Sequence, residues 1–166
     1  KTISLTRNLF KDIFDNHFDA VRNYIYYRSG DGDLATDIAQ DTFMKIWEKQ
    51  MHLGEKKNIK ALLFKIAGDL LISNHRRQKV IDKFQLNLTT SEERQSPADV
   101  MQFNELKDKY ESALVRLTEK QRTVFLMSRI DNMKYYEIAE SIGISIKAVE
   151  KRMKYALSFL KEELNY

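Results

Sequence analysis

The sequence contains no cysteine, one proline and only five glycines among its 166 residues. The absence of cysteine excludes disulfides, thiolate metal sites and cysteine nucleophiles, and it is typical of a protein in a reducing compartment. The scarcity of proline and glycine leaves few turns, whereas residues that favour helices are abundant. The composition therefore predicts an all-α fold, and we expect a cytoplasmic protein.

Long apolar runs are also missing. The longest, Ala61 to Phe64 and Ala67 to Ile72, are interrupted by Lys65 and Asp69. They fall far short of the roughly 20 residues that a membrane-spanning helix requires, and no signal peptide is recognisable. We therefore expect no stable membrane insertion.

Residue patterns typical of catalysis are missing as well. His17, His52 and His75 are far apart and lack the spacing of metal ligands. The sequence contains no glycine-rich phosphate loop and no nucleophile elbow. We expect no metal site, no cofactor and no enzymatic activity.

The charge is unevenly distributed. The net charge is +4, which only mildly favours a polyanionic partner. From Gly30 to Phe43 every charged residue is an aspartate, whereas residues 56–83 carry eight lysines and arginines against two aspartates. The first segment suits a cationic or hydrogen-bonding partner, and the second suits phosphate.

The first half of the chain predicts three helices. Apolar residues recur every three or four positions from Leu9 to Ile25, which predicts a helix ending near Ser29–Gly30. Asp33 is a candidate N-cap for a second helix over Leu34–Gln50. A third strong apolar pattern runs from Ile59 to about Phe84. These helices predict one compact unit.

A tether is predicted after this unit. Between Gln85 and Gln95 the apolar pattern fades into polar residues, a composition typical of linkers. Ser96 followed by Pro97 is a strong helix start. We expect two small helical domains, residues 1–84 and 97–166, joined by a flexible linker over residues 85–96.

The second half predicts four more helices. One should end near Arg116, and Thr118 with Gln121 forms a capping box for a helix through Ile130. A short helix over Tyr136–Ile142 and a long helix over Ile146–Leu164 then follow.

The last two helices have helix-turn-helix spacing. Ala139 is small where the helices cross, Gly143 can take the positive φ of the turn, and Val149 packs the second helix on the first. The simpler interpretation is a helical hairpin with a solvated basic face. The residues expected to contact duplex DNA are Ser145, Lys147, Ala148, Glu150, Lys151, Lys154 and Tyr155.

Two motifs resemble conserved regions of bacterial sigma factors. Residues Leu114 to Leu164 contain L-x-x-x-Q-R-x-V-F followed by Y-x-E-I-A and G-I-S, which is similar to the fourth conserved region. Asp37 to Phe43, DIAQDTF, is similar to the core of the second region, and ALLFKIAGDLLISNHRR is similar to the stretch that follows it. The order and spacing resemble the extracytoplasmic-function group of RNA polymerase sigma factors.

This resemblance implies a surface for core RNA polymerase on the second helix. In the family, the helix with the second-region motif docks on the clamp helices of the β′ subunit. For a lone acidic turn, the simpler interpretation is a solvated helix start, and the order of the two motifs favours the docking surface. The implied residues are Asp37, Gln40, Asp41 and Lys45.

The resemblance also implies contacts with the minus-ten promoter region. The family flips a base into a pocket made by the loop before the third helix, here Met51 to Asn58, and by the start of that helix. For Phe64 the alternative is core packing. The candidate residues on the helix are Phe64, Lys65, Asp69, Asn74, Arg76 and Arg77.

Further partners follow from the same resemblance. The second domain is expected to read minus-thirty-five DNA and to contact the polymerase β flap, while catalysis stays in the polymerase. A membrane-linked anti-sigma factor is the expected inhibitor, and the free protein is expected to be a monomer. The KAVEKRM run resembles a subgroup common in Bacteroidetes.

The sequence departs from the family pattern at several positions. Asp69 replaces a usual Asn, and Leu62 replaces a usual Trp. Ala148 replaces a common Thr, and Glu150 replaces an often basic residue. Promoter preference can therefore differ from that of other members.

Two other functions remain open from sequence. A stand-alone helix-turn-helix regulator would dimerise and bind palindromic duplex without polymerase. A structural helical adaptor would have no salt-dependent affinity for DNA.

Overall fold

The computed structural model describes residues 5–49, 58–85 and 103–165, and it places side chains in residues 5–49, 58–78 and 108–165. Within these ranges every element of regular secondary structure is a helix, so the predicted all-α class is confirmed. The helices are α1 (Arg7–Ser29), α2 (Gly32–Glu48), α3 (Ile59–Gln85), α4 (Phe103–Arg116), α5 (Glu119–Arg129), α6 (Tyr135–Ile142) and α7 (Ile146–Glu163).

Local capping determines where α1 ends and α2 begins. Gly30 has a left-handed backbone, with φ of 72°, and its N–H donates to the Tyr26 carbonyl oxygen. The N-cap of α2 is Asp31, whose carboxylate accepts hydrogen bonds from the N–H groups of Asp33 and Leu34. The prediction of Asp33 as this cap was therefore wrong. Asp31 follows the Gly30 turn directly and reaches the free amides first.

The first three helices share an apolar core. Val21 and Ile25 of α1, Ile46 of α2 and Leu63 of α3 are completely buried. Next to them lies an aromatic cluster, in which the Phe14 ring centroid is 5.0 Å from that of Phe43. These contacts hold α2 and α3 in fixed positions against α1. The rings of the cluster belong to Phe10, Phe14, Phe18, Phe43 and Trp47.

The last four helices form a second packed group. The capping box predicted at the start of α5 is present, because Thr118 and Gln121 satisfy each other's backbone amides. Val124 of α5, Ile138 of α6 and Val149 of α7 are completely buried. The predicted helix start at Ser96–Pro97 lies outside the described residues.

The two groups of helices are in direct contact. Helix α1 packs against α5, and α3 packs against α6. The sequence left the relative placement of the two halves open. In this structure their buried residues form one continuous core cluster. We refer to α1–α3 as the first module and to α4–α7 as the second module.

None of the helices within the described ranges combines the length and apolarity needed to cross a membrane.

Candidate nucleic-acid interface

The turn between α6 and α7 has helix-turn-helix geometry. Gly143 adopts φ of 70° and ψ of 40°, and its N–H donates to the Ala139 carbonyl oxygen. The Ser145 hydroxyl accepts a hydrogen bond from the Ala148 N–H at 3.1 Å, which caps α7. Ala139 is buried at the crossing of the helices. The turn therefore fixes the angle at which α7 leaves α6, as the sequence predicted.

Helix α7 has two distinct faces. The buried face consists of Val149, Met153, Ala156 and Leu160, spaced three or four residues apart. The opposite face is mostly exposed and carries three lysines, so it can contact phosphates while shorter side chains approach base edges. Exposed on it are Lys147, Glu150, Lys151, Lys154 and Tyr155.

The remaining two predicted residues of this surface are placed differently. Ala148 is only partly exposed. The Ser145 side chain is exposed, but its hydroxyl is engaged as the helix cap. The structure therefore brings five of the seven predicted residues onto one open face, with Ser145 at its edge.

The four predicted polymerase-contacting residues lie together on α2. Asp37, Gln40, Asp41 and Lys45 are all exposed, and their spacing of three and four places them along one side of the helix. The opposite side packs on α1 through buried residues that include Ala39 and Phe43. The surface is rigid because its helix is anchored in the core. We call these four residues the α2 polar face.

Two apolar side chains of α2 are exposed beside the α2 polar face. Met44 is 55% exposed and Trp47 is 44% exposed. One face of the Trp47 ring packs on Phe10, with ring centroids 5.0 Å apart. Exposed apolar groups beside acidic ones are typical of a protein-binding surface.

Helix α3 presents part of the predicted minus-ten set on one face. Lys65, Asp69 and Arg76 are exposed and fall within about 40° of each other at 3.6 residues per turn. Arg77 is exposed and flanks this face, whereas Asn74 is exposed on the opposite side of the helix. The structure therefore groups three of the six predicted residues. We call these three the α3 polar face.

Phe64 is buried, with 2% of its surface exposed. Its ring centroid lies 4.6 Å from that of Tyr24, and the Lys60 ammonium lies 5.7 Å above the ring. For this residue the structure shows core packing, the alternative that the sequence left open. Of the loop Met51–Asn58, only Asn58 belongs to the described residues, and its side chain accepts a hydrogen bond from the Ala61 N–H.

A cleft of about 450 Å³ separates the α3 polar face from the second module. One wall consists of Lys65, Gly68 and Asp69, and the other is the end of α6 from Glu140 to Gly143. At the base of the cleft, burial raises the pKa of Tyr24, so its hydroxyl stays neutral. It accepts a hydrogen bond from Arg28 at 3.0 Å.

Within the described ranges, no cluster of three or more histidine, aspartate or glutamate side chains could hold a metal ion.

Two family models match this chain. The model described as Sigma-70 region 2 matches residues 13–80, and the model described as Sigma-70, region 4 matches residues 107–160. The first match covers most of α1 to α3, and the second covers most of α4 to α7. Together they cover more than two thirds of the chain.

Characterised relatives align over almost the whole length. The Ferric citrate uptake sigma factor FecI of Escherichia coli (strain K12) is 28% identical over 94% of this chain and 89% of its own length. The ECF RNA polymerase sigma factor SigW of Bacillus subtilis (strain 168) is 24% identical over 95% of this chain and 90% of its own length.

Solved structures agree with the fold. The sigma factor RpoE in complex with the anti-sigma factor NepR, from Bartonella quintana, superposes with a TM-score of 0.67 at 26% identity, covering 94% of this chain and 96% of that one. CnrH, in complex with the cytosolic domain of CnrY, superposes with a TM-score of 0.65 at 21% identity and covers 96% of this chain and 90% of its own.

The region 2 and region 4 matches occur in family order, on two helical modules that present a polar helix face and a helix-turn-helix. The chain therefore belongs to the sigma-70 family and is an RNA polymerase sigma factor of the extracytoplasmic-function (ECF) group.

Proposed function

We propose that the three exposed helix faces described above each contact a different target during promoter recognition. The α2 polar face binds the β′ clamp helices of core RNA polymerase, and the α3 polar face contacts melted minus-ten DNA. The exposed face of α7 reads minus-thirty-five DNA, while the second module also contacts the β flap. The single observation that carries this proposal is that each surface is a solvated face of a helix whose other side is anchored in the core.

The α2 polar face suits a protein partner. Asp37 and Asp41 supply negative charge one helical turn apart, and exposed Met44 and Trp47 supply apolar area beside them. Interfaces commonly combine an apolar centre with a charged rim that gives specificity and steers association. A basic surface on the polymerase is the matching partner.

The α3 polar face suits single-stranded DNA. Lys65 and Arg76 can neutralise phosphates, and the Asp69 carboxylate can accept a hydrogen bond from a base amino group. Exposed Arg77 flanks this face and extends the contact, whereas Asn74 lies on the opposite side of the helix and would need a separate contact with the DNA. Phe64 helps to hold the α3 polar face in position, because its buried ring anchors α3 in the core.

The domain boundaries proposed from the sequence fit this division. Residues 1–84 form the polymerase and minus-ten domain, residues 85–96 the linker, and residues 97–166 the minus-thirty-five domain. We further propose that the protein is cytoplasmic, that it is a monomer when free, and that catalysis stays in the polymerase. The KAVEKRM run resembles a subgroup common in Bacteroidetes, and we propose that the chain belongs to this subgroup.

An anti-sigma factor is the proposed regulator. RpoE of Bartonella quintana, which is similar over nearly its full length, was solved with the anti-sigma factor NepR. Affinity capture of this chain from host cells under non-inducing conditions should retain an inhibitory protein. Failure to retain one would contradict this part of the proposal.

Run-off transcription tests the main proposal. Genomic fragments selected by the chain with core polymerase provide the templates, and transcripts should appear only when the chain is added. The double variant Asp37→Lys with Asp41→Lys should abolish both transcription and binding to core polymerase. Asp19→Lys, a charge reversal at an exposed position on α1, is the matched control. Full activity of the double variant would refute the role of the α2 polar face.

A further inference from the structure

Glu150 interrupts the otherwise basic face of α7. It is exposed, and with its neighbours on the same face it lines a depression of about 400 Å³; these neighbours are Lys147, Lys151, Lys154 and Tyr155. Three lysines thus surround one carboxylate on a surface proposed to enter the major groove. Phosphates run along both edges of that groove, and they repel a carboxylate. Glu150 therefore needs either a partner within the protein or a hydrogen-bond donor on the DNA.

The protein supplies no such partner to Glu150. Lys154 lies four residues later, which is the order and spacing in which a glutamate and a lysine on a helix pair most readily. Within the described ranges, however, the Glu150 carboxylate forms no ion pair and no hydrogen bond. The helix dipole does not account for Glu150 either, because it is the fifth residue of α7 and lies beyond the first turn. Its carboxylate is therefore free to meet a ligand.

The position of Glu150 along α7 suits contact with bases. In a helix-turn-helix, residues near the start of the second helix contact base edges in the major groove. Lys147 is the second residue of α7, and it lies one turn before Glu150 on the same exposed face. Side chains three residues apart on a helix are neighbours. Lys147 and Glu150 can therefore reach the same base pair.

The major groove offers a carboxylate only a few favourable contacts. Guanine presents two acceptors there, and thymine presents an acceptor and a methyl group, so both disfavour a carboxylate. Adenine presents an amino donor with an acceptor beside it. Cytosine presents only its N4 amino donor, and the guanine paired with it presents acceptors that suit a lysine. A C·G pair therefore matches a glutamate and a lysine one helical turn apart.

We infer that Glu150 is a specificity-determining residue, whose carboxylate accepts a hydrogen bond from the N4 amino group of one cytosine in the minus-thirty-five element, while Lys147 donates to the guanine of the same base pair. This inference rests on the proposed role of α7 in DNA binding and deepens it. It is particular to this chain, because the basic residue that often occupies this position in the family pattern donates hydrogen bonds and cannot accept one.

Selection of promoter fragments randomised across the minus-thirty-five element tests the inference. The full chain with core polymerase selects the fragments, and sequencing gives the base preference at each position. The natural chain should prefer cytosine at one position. Glu150→Ala should lower that preference by about fivefold or more, the lower end of what a base-specific contact contributes, and should leave the other positions unchanged. Lys147→Ala should weaken the preference at the same position.

The conservative variant provides a sharper test. Glu150→Gln should move the preference at that position from cytosine to adenine, because a glutamine amide pairs with N6 and N7 of adenine. A merely structural role of Glu150 would not change which base is preferred. Glu162→Gln, at an exposed glutamate in the last turn of the same helix, makes the same change of charge and should leave every preference unchanged. Circular dichroism checks that each variant is folded.

A modified duplex isolates the amino group of the cytosine. Fluorescence anisotropy compares the selected promoter with one in which this cytosine is replaced by 2-pyrimidinone, which lacks only the N4 amino group. The polymerase complex of the natural chain should bind the modified duplex about fivefold more weakly, whereas the complex of Glu150→Ala should bind both duplexes equally. Equal binding of both duplexes by the natural chain would overturn the inference.

The outcomes separate this inference from the proposed function. If Glu150→Ala changes no preference, or lowers the preferences at all positions evenly, Glu150 does not read a base, even where Lys151→Ala and Lys154→Ala show that α7 binds DNA. If selection with the natural chain yields no preference at any minus-thirty-five position, the proposed role of α7 is itself wrong, and this inference fails with it.

Discussion

The Tyr27 hydroxyl donates a hydrogen bond to Oδ1 of Asp131 at 2.9 Å and thereby joins the end of α1 to the loop after α5. Burial raises the pKa of Asp131 above its ordinary value, and the hydrogen bonds from Tyr27 and Asn23 oppose that rise. Removal of the Tyr27 donor should therefore raise the pKa of Asp131 further.

Tyr27→Phe tests this relationship. Carbon-detected NMR of the Asp131 carboxyl should show a higher pKa in the variant than in the natural chain. A carboxyl with a raised pKa in the folded state contributes stability at low pH that is lost as pH rises through that pKa. The variant should lose this contribution at a higher pH. Tyr26→Phe, which removes an exposed neighbouring hydroxyl, should leave Asp131 unchanged.

His17 should make stability depend on pH in the opposite sense. Burial lowers its pKa below 6.5, and the positive charge of Lys60 lowers it further. The folded state therefore favours neutral His17, and the stability that this provides is complete above pH 6.5 and lost as pH falls through the lowered value.

Two variants check the His17 prediction. Urea unfolding between pH 7.5 and 5 should show a smaller loss of stability in His17→Gln than in the natural chain. In NMR titrations, Lys60→Met should move the pKa of His17 back toward 6.5. A His17 that titrates at or above 6.5 in the natural chain would contradict the prediction.

The exposed lysines of α7 should contribute to DNA affinity through phosphate contacts. Lys151→Ala and Lys154→Ala should each weaken promoter binding by the polymerase complex and reduce the slope of log affinity against log salt by about 1. Fluorescence anisotropy at several salt concentrations measures both quantities. Lys161→Ala, an exposed lysine in the last turn of the same helix, should keep the natural slope.

Replacement of Gly143, in the turn between α6 and α7, by a residue with a side chain should lower the stability of the protein. A Cβ atom at Gly143 would have no neighbour within 4 Å, so the cost of Gly143→Ala comes only from its φ of +70°. That cost is about 1 kcal/mol, and Gly143→Asn should cost less because asparagine tolerates this region. Urea unfolding measures both. Gly32→Ala should be neutral or stabilising, because its Cβ meets Arg22 at an ordinary 3.6 Å.

Helix ends were the part of the fold most accessible from sequence. Gly30, Thr118 and Gly143 were assigned correctly because a cap depends only on residues within one turn of it. Asp33 was predicted as the N-cap of α2, and this was wrong. Aspartate at either position can cap a helix, and the path of the chain after α1 places Asp31 there.

Features that depend on distant contacts were less accessible. Apolar periodicity cannot show that Phe64 packs on Tyr24 while Trp47 stays partly exposed, because both fit an apolar stripe. The contact between the modules joins carbonyl groups of α1 to Arg122, almost one hundred residues away. Every residue has a backbone carbonyl group, so the sequence does not indicate which carbonyl oxygens accept a hydrogen bond from a distant side chain. This contact therefore could not be predicted.

Arg122 bridges the ends of two helices, and this gives the contact between the modules a particular character. The Arg122 guanidinium donates to the carbonyl oxygens of Tyr27 and Arg28 at the end of α1 and to those of Val115 and Leu117 at the end of α4. One positive charge therefore lies against the negative ends of two helix dipoles. Replacement of this single side chain removes a favourable cation from both helices at once.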